Sequence, residues 1–240
     1  MKNKITLIAL MAFLMTSVGF AQKTIKASDI MKDMKNGKDI SYNNATIVGD
    51  LDFTYMEEKL VDLPKRKRNS WWKNGGSNTV KHYIKSKVSF VNCTFEDNVL
   101  AYIPDSENSG YTFVASFKDD AIFKGCTFER KAMFKYSKFD EQASFAGAKF
   151  EDDTTFKYAE FDNNVSFAKA VFKETATFKY TKFKDGVSFN NTDFQEDLNI
   201  KYTNVRGEFD IKGMKVAYDI NSKYTKINGK SFNRYLLDNR

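Results

Sequence analysis

From Ala121 to Lys230 the apolar positions return on a fixed cycle of eleven. Cut at that interval the chain reads AIFKGCTFERK, AMFKYSKFDEQ, ASFAGAKFEDD, TTFKYAEFDNN, VSFAKAVFKET, ATFKYTKFKDG, VSFNNTDFQED, LNIKYTNVRGE, FDIKGMKVAYD, INSKYTKINGK. The third and eighth places are Phe in the first seven copies and mostly Ile or Val afterwards, while the first and sixth are small or apolar. Self-similarity at a constant period is the mark of a solenoid. An eleven-residue apolar period also suits a right-handed coiled coil. On a helix, however, residues five apart point about 140° away from each other, so the paired Phe could share no stripe. Short extended segments fit instead: places one and three point the same way, as do six and eight, with a corner after each pair.

A second period lies over the first. Lys-Tyr recurs at Lys135-Tyr136, Lys157-Tyr158, Lys179-Tyr180, Lys201-Tyr202 and Lys223-Tyr224, always 22 residues apart. Two copies therefore make one turn of the coil, and like residues should stack at about 4.8 Å. The fourteen inward Phe of the first seven copies would bring roughly 20–40 kcal/mol of gross burial before chain entropy is subtracted. Such a core needs neither metal nor cofactor, and none is expected.

Ala143-Ser144-Phe145-Ala146-Gly147 followed by Ala148-Lys149-Phe150 resembles the pentapeptide-repeat family, in its Phe-centred variety. The departure is a sixth residue added to every second pentad, as in Glu151-Asp152-Asp153. The resemblance implies an all-β solenoid: a right-handed quadrilateral β-helix, four sides and about 22 residues per coil, with short capping helices at both ends. Some members of the family are acidic DNA mimics that inhibit topoisomerases. This chain departs from them in charge, and no nucleic-acid partner is expected.

Ahead of the repeats, Met1 to Ala21 carries Lys2 and Lys4, an apolar run from Ile5 to Leu14, and Gly19-Phe20-Ala21. This reads as a cleavable signal peptide, with an apolar stretch too short for a membrane span. Residues 22–240 are then expected to form a single exported domain, secreted or periplasmic. A cap helix is predicted over 28–35, with Ser28 as N-cap and Asn36-Gly37 as its stop. Residues 41–55 enter the coil. Two excursions interrupt it, one over 57–87 and a second over 99–110, the latter holding Pro104. After the regular repeats of 121–230, residues 231–240 read as a closing amphipathic helix.

Charge sharpens the picture. The chain carries 38 Lys and Arg against 31 Asp and Glu, a net +7, or +5 without Lys2 and Lys4. Residues 57–87 alone hold nine basic and three acidic residues, +6, which leaves −1 for the rest of the mature chain. Their centre, Lys65-Arg66-Lys67-Arg68 followed by Trp71-Trp72, has the composition of an anionic-surface binder, or of a solvated loop whose indoles fold back on the coil.

Candidate chemistry is sparse. His82, the sole histidine, has no partner at catalytic spacing and reads as a surface residue of the basic loop. No zinc, nucleotide or phosphate-transfer motif occurs. Acidic residues at the corners, Asp140, Glu151 and Asp162, fit turns better than a calcium loop. They also leave open a carbohydrate-active enzyme using paired carboxylates. Cys93 and Cys126, both at the sixth place, are a candidate disulfide or two buried thiols. The Lys-Tyr column is either a copied structural unit with lysine stems lying on the rings, or a binding strip for an extended anionic or sugar-like partner. The leading expectation is a non-enzymatic binding or structural module whose partner is a protein, a glycan or an anionic envelope surface.

Overall fold

The computed structural model describes residues 23–63, 78–104 and 110–238. The chain winds through four parallel sheets, taken in turn as the four sides of a coil. The first side begins at Ile40–Asn43 and the second at Lys23–Lys26. The third begins at Leu51–Asp52 and the fourth at Thr79–Ile84. From Thr127 to Ile227 each strand is only two residues long, and residues 22 positions apart pair, as in Phe128 with Phe150 and Phe139 with Phe161. The solenoid and the coil length read from the sequence are both present.

The interior is phenylalanine. Successive coils stack like rings in parallel: Phe134 on Phe156 at 5.2 Å and Phe156 on Phe178 at 5.1 Å, each tilted by 4°. Between adjacent columns the rings meet edge to face, as Phe156 does with Phe167 at 5.1 Å and 78°. Both arrangements suit the aromatic quadrupole. At the sixth place the sequence suggested only a need for small size. The structure adds a hydrogen bond: the hydroxyls of Thr181, Thr192 and Thr203 donate to the third-place carbonyls of Phe156, Phe167 and Phe178, at 2.7, 2.7 and 2.6 Å. The hydroxyl thus stays satisfied inside the coil.

Both ends are covered. Helix α1, Ala27–Lys35, buries Ala27, Ile30 and Met34 on the first coil. It starts one residue earlier than expected and is not capped by Ser28. Lys26 occupies the N-cap position without a side-chain bond, because the helix follows directly on a strand, Lys23–Lys26, paired to Ala45–Val48. Its stop at Asn36-Gly37 is a Schellman closure. Gly37 has φ +74°, its N–H reaches the carbonyl of Met34 at 2.9 Å, and the N–H of Lys38 reaches that of Asp33 at 3.0 Å. At the far end, Lys230–Ser231 turns back antiparallel on Lys226–Ile227, and helix α3, Phe232–Asp238, buries Phe232.

The excursions are shorter than the charge pattern implied. Ile40 pairs with Val88, 48 positions on, so 26 residues are added to a 22-residue coil; Val88 pairs with Ala121, 33 on, so 11 are added. Within 57–87, helix α2 occupies Met56–Asp62, and Thr79–Ile84 is a coil strand paired to Thr112–Phe117. The abundance of lysine there hid a strand whose Ile84 is buried. Within 99–110, Val99–Leu100 stays in the third side, and Tyr102–Ile103 folds back antiparallel on Phe113–Val114. Lys65–Arg68, Trp71 and Trp72 lie outside the described residues, as does the segment 1–21. Both excursions leave the coil between the third and fourth sides.

Candidate functional site

That same corner carries the Lys-Tyr column. Each even copy turns it through four residues, as in Phe134-Lys135-Tyr136-Ser137, where the N–H of Ser137 reaches the carbonyl of Phe134 at 3.2 Å. The tyrosines stand at the third turn position with φ of +63, +61, +61, +60 and +64° at Tyr136, Tyr158, Tyr180, Tyr202 and Tyr224. A positive φ there favours glycine or asparagine. At the corresponding corner of the odd copies the same place holds Gly125, Gly147, Lys169, Asn191 and Gly213, also left-handed. Five tyrosines in this conformation cost roughly 1–2 kcal/mol each. Polar residues at the second place help to hold the turns: Thr155 Oγ1 accepts from the Lys157 N–H and Asn199 Oδ1 from the Lys201 N–H, both at 3.2 Å.

The rings form an unbroken stack. Neighbours from Tyr136 to Tyr224 lie 4.8, 4.7, 4.6 and 4.8 Å apart, tilted by 8, 3, 3 and 21°. The Tyr180 phenol is pushed up from its ordinary value, by desolvation first and then by Tyr202 and Tyr158 on either side. Along the column every inner ring face is taken by the next tyrosine. What the corner offers outward is ring edges, hydroxyls and ammonium groups. Lys135, Lys157, Lys179, Lys201 and Lys223 hold their Nζ 5.0, 5.3, 5.2, 5.3 and 5.1 Å from the centroids of the adjacent rings. The ammonium groups thus lie against the tyrosine rings at cation–π range.

None of the five lysines forms an ion pair with a carboxylate among the described residues. The fourth side, one face away, is different. Lys138 bridges Asp140 and Asp162 at 2.8 and 2.7 Å, Lys118 pairs with Asp140, Lys184 with Glu160 and Asp162, and Lys182 with Glu160. Burial alone would raise the Asp140 and Asp162 carboxyls, but the lysines beside them hold both below the ordinary carboxylate range. Glu151 is lowered too, by hydrogen bonds from Lys149 and Lys173. A general acid needs a raised carboxyl, so the three corner carboxylates are placed as anchors for lysine.

His82 sits differently from the sequence reading. It is half-buried on the strand Thr79–Ile84, its ring 4.8 Å from that of Tyr55. Burial, then the charge of Lys59, lower its pKa to about 4. Cys93 and Cys126 do stack on neighbouring coils, since Thr94 pairs with Thr127, yet both are free and buried. Each thiol takes the sixth-place role, Cys126 Sγ donating to the carbonyl of Phe90 at 3.4 Å. Its hydrogen bond with Cys93 and burial keep the Cys126 thiol protonated.

The column also extends past the residues singled out. Tyr55, at φ +54°, occupies the same corner position in the first coil, because Leu51 aligns with Val99 and Val99 with Ala132. Tyr102 meets Tyr136 at 5.9 Å and accepts a hydrogen bond from Lys135 Nζ at 3.1 Å. The excursions broke the 22-residue spacing that would have revealed them.

The family model of pentapeptide repeats, nine copies, matches residues 115–160 and 156–204. Residues 115–204 are pentapeptide repeats. Searches of curated proteins and of solved structures find no match. The pentapeptide repeats so matched contain four of the five Lys-Tyr rungs.

Proposed function

We propose that this pentapeptide-repeat protein is a non-enzymatic interaction module, exported by its N-terminal segment, whose Lys-Tyr corner binds an extended polyanion lengthwise. The observation that carries the reading is the set of five ammonium groups, one per coil, left without a carboxylate among the described residues while Lys118, Lys138, Lys182 and Lys184 on the next face are all partnered. Like charges about 5 Å apart repel by about 0.8 kcal/mol per neighbouring pair in water. A ligand with one negative charge per coil spacing relieves that repulsion. An acidic polysaccharide with a carboxylate on each sugar has a repeat of about this length, and the tyrosine hydroxyls would bond its ring oxygens. The excursion that leaves at the same corner, residues 53–78, carries six basic against three acidic residues and favours the same sign of partner.

The signal-like composition of Met1 to Ala21 supports export, where such polymers occur. The test is titration calorimetry of the mature chain with polygalacturonate. Binding should weaken with added salt and fall about tenfold in Lys157→Gln/Lys179→Gln/Lys201→Gln, on the scale of three exposed ion pairs. Equal affinity in the triple variant would remove the corner from the account.

A further inference from the structure

The first coil contains a concave region at the N-terminal end of the corner, below the Lys-Tyr rungs. Two cavities lie on either side of Tyr55, whose hydroxyl is tied to the carbonyl of Met31 at 2.7 Å. The smaller has a volume of about 300 Å³ and is walled by Met34 of α1, Lys59 of α2, and His82, Ile84 and Ser86 of the fourth side. Such a volume stands at the lower end of small-molecule sites.

Lys59 gives this cavity its chemistry. Its Nζ is buried without a hydrogen-bond partner among the described residues. The two carboxylates near it are already engaged. Glu58 holds Lys35 at 2.5 Å, and Asp52 accepts from Thr54 N, Thr54 Oγ1 and Met56 N at 2.7, 2.6 and 3.0 Å, closing the turn into α2. Burial therefore lowers Lys59 to about 8, although Asp52 and Glu58 pull the other way. A buried cation lacking its anion is costly, and four rotatable bonds let it turn toward one.

We propose that this cavity binds a small organic monocarboxylate, its charge received by Lys59 and its apolar body lying on Met34, Ile84 and the Tyr55 ring. Neutral His82 and the Ser86 hydroxyl can donate to the second carboxylate oxygen. A single charge is specified because Glu58 stands in the same wall and would repel a second one. The other ionisable groups around the cavity are Lys35, already paired, with Lys85, Tyr83 and Tyr55. Tyr55 is raised to about 12 by burial, then Glu58 and Asp52, so Lys59 is the group whose titration near pH 8 governs binding.

Benzoate, benzamide and inorganic phosphate serve as probes in calorimetry with the mature chain. Benzoate should bind about tenfold more weakly at pH 9 than at pH 7, as Lys59 loses its proton, and neither benzamide nor phosphate should bind. Lys59→Met should abolish benzoate binding while melting no lower than wild type, since it removes an unpaired buried charge. The Lys157→Gln/Lys179→Gln/Lys201→Gln variant should bind benzoate unchanged, which separates this site from the polyanion corner. No benzoate binding at millimolar concentration, affinity independent of pH in the wild type, or equal affinity in Lys59→Met would each overturn the assignment.

Discussion

Tyrosine is a costly occupant for a left-handed backbone position, and its presence at five successive corners shows what the rings return. At Tyr180, with φ +61°, Tyr180→Ala loses two stacked neighbours and keeps the strain, whereas Tyr180→Gly loses the same neighbours and relieves it. Thermal or urea unfolding should find the glycine variant more stable than the alanine one by about 1 kcal/mol. If alanine proves the more stable, the left-handed assignment fails. His82 makes a separate prediction from its lowered pKa. Between about 6.5, the unfolded value, and about 4, the folded one, the unfolded chain binds a proton that the folded chain refuses. Acidification through that window should therefore cost stability, and His82→Phe should lose that part of the slope. The Lys-Tyr recurrence was legible in the residues, but the sign of φ was not. Only the alternation of Tyr with Gly, Lys or Asn at the fifth place hinted that two corners share one backbone shape. His82 was misread because the lysines around it suggested solvent, while Val80 and Ile84 two residues either side set the alternation of a strand.

At the scale of the repeat, each place has one task. The third and eighth fill the interior and the second caps the turn. The sixth returns a hydrogen bond to the coil before it, whether by Thr181, Thr203 or Cys126. Thr181→Val keeps the shape and leaves the Phe156 carbonyl without that donor. It should cost about 1 kcal/mol in urea unfolding, and a neutral result would mean that the sixth place is chosen for size alone. Strand length and coil period could be read from the Phe spacing because two residues of each strand are enough to repeat it. The excursions resisted reading for the opposite reason. Helix α2 and the strand Thr79–Ile84 each occur once, so no second copy exposes them, and α1 follows a strand where a cap residue was sought.

The whole molecule is a phenylalanine rod closed by α1 and α3, with charge sorted by face. The fourth side cancels its lysines with Asp140, Glu160 and Asp162, and among the described residues the neighbouring corner leaves its own uncancelled. Among the described residues no helix is long and apolar enough to cross a membrane. The central claim is that the five rungs act as one linear receptor whose unit is the coil. The most direct measurement is the affinity of residues 22–240 for a length series of oligogalacturonates. The account predicts affinity that climbs with each added carboxylate up to about five sugars and then levels off, with uncharged oligomers of equal length unbound. Affinity that ignores length, or that neutral oligomers match, would contradict it.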